Sequence, residues 1–97
     1  MTIATVNHIE EHLFRHINAF EAELAQGLLN HAETLIRERV PNLANLCDAD
    51  PSFAARVADI EAKAAARVIR GDGGVRITEN ELASLRQNRR VRAHLPA

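Results

Sequence analysis

Apolar and polar positions along the chain alternate with helical period, and the pattern breaks at a few places marked by capping residues, proline or glycine. The longest unbroken pattern runs from Asp50 to Gly71. Asp50 is a good N-cap, and Pro51 falls at the first helical position, where its missing N–H costs nothing. Gly71 follows the last periodic residue, where a left-handed residue is wanted, and Arg67 and Arg70 face the negative end of the helix dipole. At 100° per residue, Phe53, Val57, Ile60, Ala64 and Val68 form one apolar stripe, widened by Ala54, Ala58, Ala62, Ala65 and Ile69. Arg56, Asp59, Lys63, Arg67 and Arg70 make the only charged strip. A helix apolar over most of its circumference is a buried helix. A short chain has little to cover it with, so neighbouring subunits are expected to supply part of the cover. Phe53, Val57, Ala58, Ile60, Glu61 and Ala65 are then the expected oligomer interface.

Upstream, Thr5 and Asn7 are candidate caps, and Asn7 with Glu10 fits the capping-box spacing. They predict a first helix from about Asn7 to His16. A second box, Asn18 with Glu21, opens a longer helix whose apolar face is expected to be Phe20, Leu24, Leu28, His31 and Leu35. The stripe from Val6 to Leu28 keeps phase across Asn18, so a single rod is the alternative; the box favours a break. Pro41 ends the helix near Arg39–Val40. Residues 42–49 are expected to be a loop. After Gly71, GDGG makes a turn, residues 75–77 an extended segment, and Thr78 with Glu81 caps a last helix carrying Leu82 and Leu85. The fold class expected is all-α: a bundle of three to four helices over residues 1–74, a C-terminal arm over 75–97, and a protomer built to join a ring.

Composition sharpens this picture. The chain has 97 residues, one cysteine and three aromatics, so a single domain with a thin, alanine-rich core is expected. Oligomerisation is a usual remedy for such a scaffold. Lone Cys47 rules out an internal disulfide. No apolar run approaches membrane-span length, and MTIATVNHIEEH lacks the basic and apolar regions of a signal peptide. Residues 1–75 carry 7 basic and 11 acidic side chains, a net of −4, and residues 76–97 carry 5 and 2, a net of +3. A basic tail on an acidic body points to an acidic partner surface.

Candidate chemistry is sparse. His8, Glu11 and His12 match the H-x-x-E-H pattern of inverted zinc proteases, but a third ligand and a supporting cleft are missing. A polar helix face is the better reading. His31 is expected to be a core-edge or interface histidine with a hydrogen-bond partner. The glycine turn is neither a calcium loop, since most oxygen ligands are absent, nor a phosphate loop, since no Gly-Lys-Ser/Thr follows. No catalytic residue, metal ligand or cofactor is expected. Arg56, Lys63, Arg67 and Arg70 form a charged strip suited to a subunit interface or to a passage lined for DNA. Ile77, Leu82, Leu85, Arg86, Arg89, Arg90, Arg92 and Leu95 make up the expected partner-docking arm.

The order of these pieces resembles a known family. Ala4-Thr5-Val6 introduces a short helix, followed by Leu28-Leu29-x-x-Ala32-x-x-x-Ile36-Arg37 running to Pro41. An Asp-Pro-initiated helix then carries Val57, Ile60, Ala64 and Arg67 and ends at Gly71-Asp-Gly-Gly. This resembles the small head-to-tail connector proteins of tailed phages, also called adaptor or head completion proteins, over roughly residues 3–74. The resemblance implies a structural virion protein in the neck between capsid and tail, made in the host bacterial cytoplasm. It implies a homo-oligomeric, dodecameric ring that binds the portal on one side and a tail or second connector protein on the other. Double-stranded DNA would pass through its centre, and no membrane would be involved. The segment after the central helices commonly embraces the portal in that family; here it departs from an extended tail in having a capped helix at Thr78 and a run of arginines. The competing reading, from another class, is a small helical DNA-binding regulator using the basic C-terminal helix. No second helix at turn spacing precedes Thr78, which disfavours it.

Overall fold

The computed structural model describes residues 4–85 of the chain, which are all-helical, with no strand among them. Helix α1 spans Val6–Leu13, α2 Ala19–Arg39, α3 Leu43–Ala49 and α4 Pro51–Ile69. A fifth helix, α5, begins at residue 79 and is described to residue 85. The expected arm residues Arg86, Arg89, Arg90, Arg92 and Leu95 lie outside the described residues.

Helix α4 is the axis of the bundle, and its start and stop are those its sequence calls for. The Asp50 carboxylate accepts from the Ser52 N–H at 3.1 Å, with Pro51 next to the cap. At the other end Gly71 adopts φ 88°, the left-handed conformation that glycine takes at no steric cost. The Gly71 N–H bonds back to the Val68 carbonyl and the Asp72 N–H to the Arg67 carbonyl, both at 2.9 Å, which closes a Schellman motif.

Two apolar clusters sit side by side along α4. In one, Ala58, Ala62, Ala65 and Ala66 of α4 meet Ala25 and Leu29 of α2, Ile9 of α1 and Ala4. In the other, Phe53, Val57 and Ile60 meet Ile36, Val40, Leu43 and Leu85. The start of α2 therefore lies beside the end of α4, and the two helices run antiparallel. The alanines let α2 and α1 approach α4 closely, where larger side chains would hold them apart.

Phe53, Val57, Ala58, Ile60, Glu61 and Ala65, expected at an oligomer interface, are all buried inside the protomer. The reason is coverage: α1, α2, α3 and α5 surround α4, and one chain hides the rod that seemed to need several. Glu61 is fully buried, and its Oε1 accepts from the Ala4 N–H at 3.2 Å, so it anchors the chain entering α1.

Other expectations also need correction. Helix α1 starts one residue earlier than Asn7 and ends three residues before His16. Its N-cap is Thr5, whose N–H donates to Nδ1 of His8 at 3.0 Å, so the capping box is Thr5–His8 and not Asn7–Glu10. It stops early because the Glu10 side chain captures the outgoing backbone, accepting from the Ile17 N–H at 2.9 Å. The break at Asn18 is present, with Glu21 N–H donating to Asn18 Oδ1 at 2.8 Å and Asn18 N–H to Glu21 at 3.0 Å. Residues 43–49 are helix rather than loop, because Leu43, Leu46 and Cys47 place one apolar face against the second cluster. Past residue 74, Ile77 and Leu85 pack into the second cluster and Leu82 is buried, so these three expected arm residues face the protomer's own body.

Candidate functional site

Helix α2 carries two apolar stripes about 110° apart around its axis. The buried one is Ala25, Leu29, Ala32 and Ile36, each fully enclosed. Of Phe20, Leu24, Leu28, His31 and Leu35, expected to face the core, Phe20 is 69% exposed, Leu24 is 47% exposed and His31 is exposed, while Leu28 and Leu35 are half-buried and Leu28 borders the first cluster. Two alanines alternate with Leu29 and Ile36 on the inward stripe, and they let α2 approach the alanines of α4 closely. What remains outside is an apolar patch of Phe20 and Leu24, continued along α2 by half-buried Leu28 and Leu35. Isolated exposed apolar side chains are ordinary; an aligned strip of them marks an interaction surface.

The corner between α1 and α2 adds a second feature. Phe14, the C-cap of α1, has φ 59° and ψ 30° and is 93% exposed. A phenylalanine in the left-handed region costs about 1 kcal/mol, and this one recovers nothing by burial. Replacing Phe14 with glycine is expected to stabilise the protein by about 1 kcal/mol, read as a higher denaturant midpoint with an unchanged slope.

Two carboxylates hold this corner. Arg15 forks onto Glu21 with two bonds of 2.9 Å, and Glu10 accepts from Ile17 N–H and from His16 Nδ1, the latter at 3.2 Å. Arg15, followed by the Asn18 N–H, pulls the Glu21 carboxyl from 4.5 to about 2, and the Ile17 N–H chiefly holds Glu10 below its ordinary value. A carboxyl whose folded pKa lies below its unfolded one stabilises fully above the unfolded value and loses that contribution as pH falls through the folded one. The thermal midpoint is therefore expected to drop as pH falls from about 4.5 toward 2. The drop should be shallower in Glu21→Gln, measured by circular dichroism across that range.

The charged strip of α4 is mostly tied down. Arg67 is nearly buried, forks onto Glu81 with two bonds of 3.2 Å, and donates to the Arg76 carbonyl at 2.7 Å. Arg70 donates to the His12 carbonyl at 3.2 Å and lies 3.7 Å from Asp72. Arg56 reaches Ser84 at 3.4 Å. Of the four cations only Lys63 has no partner among the described residues. Arg67 is thus a structural clamp and not a side chain available to a lumen or a neighbour.

The histidine motif does not assemble. Nδ1 of His8 is used at the cap, His12 Nε2 lies 2.8 Å from Asp59, and no group of three His, Cys, Asp or Glu among the described residues is placed to hold a metal ion. Burial, then the nearby carboxylates of Glu61 and Asp48, push the Cys47 thiol up, the opposite of an activated nucleophile. No helix among the described residues is long and apolar enough to cross a membrane. In comparisons with protein-family models, curated proteins and solved structures, nothing matches the chain.

Proposed function

We propose that this protein is a structural connector: a head-to-tail adaptor of a tailed phage particle that closes into a ring on the portal, joins it to the tail or a second connector, and leaves a central passage for DNA. The reading rests on one observation, the apolar patch that a lone protomer leaves on the outer face of α2, with Phe20 and Leu24 exposed and half-buried Leu28 and Leu35 continuing it. The all-helical body, the absence of any assembled metal or nucleophile site among the described residues, and the sequence resemblance add support. Subunit contact thereby moves from the buried α4 to the outer face of α2. Many weak contacts on a preformed portal ring act as one strong one through multivalency. The basic C-terminal residues supply a salt-sensitive attraction to an acidic surface.

Electron microscopy of the purified protein mixed with portal rings tests this. A closed ring, a dodecamer, is expected on the narrow end of the portal. Leu24→Glu should abolish it without changing the thermal midpoint, since Leu24 is already half in solvent. The reading fails if portal and protein do not associate. Tight binding to free duplex with a steep salt slope would instead identify a DNA-binding regulator.

A further inference from the structure

We propose that the corner between α1 and α2 is a docking site for arginine side chains, and that its occupant is the segment of residues 86–97 of a second copy of this chain. The site is an open cleft of about 570 Å³ lined by Asn7, Glu10, Glu11, Phe14, Arg15 and His16. Three of its properties select a guanidinium. The Phe14 ring stands in solvent, held out by a left-handed backbone, and offers a flat face on which a guanidinium stacks. Glu11 is exposed and has no ion-pair partner among the described residues, so a carboxylate is available beside that ring for a forked bond. The cleft runs along α1 from Asn7 to its carbonyl end, and at that end, beside Phe14, the helix favours a cation. The one cation on the wall, Arg15, is already matched by Glu21.

The occupant follows from charge and from where the chain leaves the body. Residues 4–85 hold 8 basic and 13 acidic side chains, a net of −5. Residues 86–97 hold four arginines and no acid, a net of +4. The described chain ends at Leu85, packed with Phe53 and Ile36 in the second cluster, while the corner adjoins the first cluster through Leu13 and Ile17. About 27 Å of α2 separates Ile36 from Asn18. Arg89, Arg90 and Arg92, four, five and seven residues past Leu85, reach at most about 14–25 Å of backbone. Only a fully extended segment approaches the chain's own corner, which favours a neighbour's. Arm at one end and cleft at the other make a heterologous contact, the kind that closes into a ring when its rotation permits. The contact is independent of the portal; only the number of copies rests on the connector reading.

The test is paramagnetic relaxation in the full-length chain. A spin label at Ala93→Cys in a Cys47→Ser background is mixed with isotope-labelled copies that carry no spin label. Broadening of backbone amides in residues 7–16 of the isotope-labelled copies is expected, fading as salt is raised. Glu11→Lys and Phe14→Gly alter exposed side chains and spare the fold; each should weaken the association about five-fold. The inference is overturned if the 7–16 amides stay sharp or if broadening is indifferent to both variants. A ring on the portal without this broadening overturns the inference and leaves the connector reading standing. Broadening with no ring on the portal does the reverse.

Discussion

Replacing Arg67 with alanine is expected to destabilise the protein by about 3–5 kcal/mol, the cost of leaving a buried carboxylate without its cation. Side-chain exposures of 13% for Arg67 and 11% for Glu81 leave this pair largely shielded from solvent. Burial alone would push the Glu81 carboxyl up, but Arg67 and the Thr78 N–H more than offset it and hold it below its ordinary value. The same carboxylate accepts from Thr78 N–H at 2.9 Å, and Thr78 Oγ1 accepts from Glu81 N–H at 3.1 Å, so the cap of α5 and the ion pair share one group. Chemical denaturation of Arg67→Ala should show a large fall in midpoint. Arg67→Ala combined with Glu81→Leu should recover most of it, because the second change removes the orphaned charge. If the single variant loses less than 1 kcal/mol, the clamp does not exist as described.

Phe53→Ala is expected to cost about 3–5 kcal/mol, the range for deleting a buried aromatic ring. Phe53 is 1% exposed and touches a cluster drawn from α2, α3, α4 and α5. The size of this effect separates two roles. A side chain at a subunit interface, once truncated, leaves the monomer as stable as before and changes only its association. A core side chain unfolds the monomer. Stability measured at micromolar concentration and again at tenfold dilution decides: a large loss, independent of concentration, is expected. The total stability of a domain this size is about 5–10 kcal/mol, so the variant should be marginal at 37 °C.

The elements of this fold were legible where local chemistry was strong. Asp50-Pro51, Gly71, the Asn18–Glu21 box and Pro41 each marked a boundary that the structure keeps, because capping and proline geometry act within a few residues. Helix α3 was less visible. Its seven residues carry no acidic residue in the first turn and no side-chain cap, and only the spacing of Leu43, Leu46 and Cys47 betrayed it. The stop of α1 was hidden for a different reason: it depends on a glutamate side chain reaching seven residues forward to Ile17, an interaction that periodicity does not encode.

The face of α2 was the instructive failure. Side-chain size argued for Phe20, Leu24 and Leu28 as the buried stripe, yet the partner helix chose. Helix α4 offers alanines, and the stripe of α2 against it pairs Ala25 with Leu29, small against large, at close approach. The same choice that closed the core left Phe20 and Leu24 outside and made them the candidate interaction surface. The expectation that α4 needs foreign subunits failed for a related reason. Four helices, the long α2 and three short ones, surround it more completely than the chain's length led one to expect, and alanine demands little volume from each.

The anchoring of Leu85 has a mechanical consequence. The residues just before the arginine-rich segment are wedged into the second cluster, and α5 lies against α4 from Glu81 at Arg67 to Ser84 at Arg56. Tension on the C-terminal segment is therefore borne first by Leu85, then by Leu82, and only last by the ion pair. Such a joint opens like adhesive tape lifted from one end, contact by contact at low force, and the remaining helices keep their shape while it does.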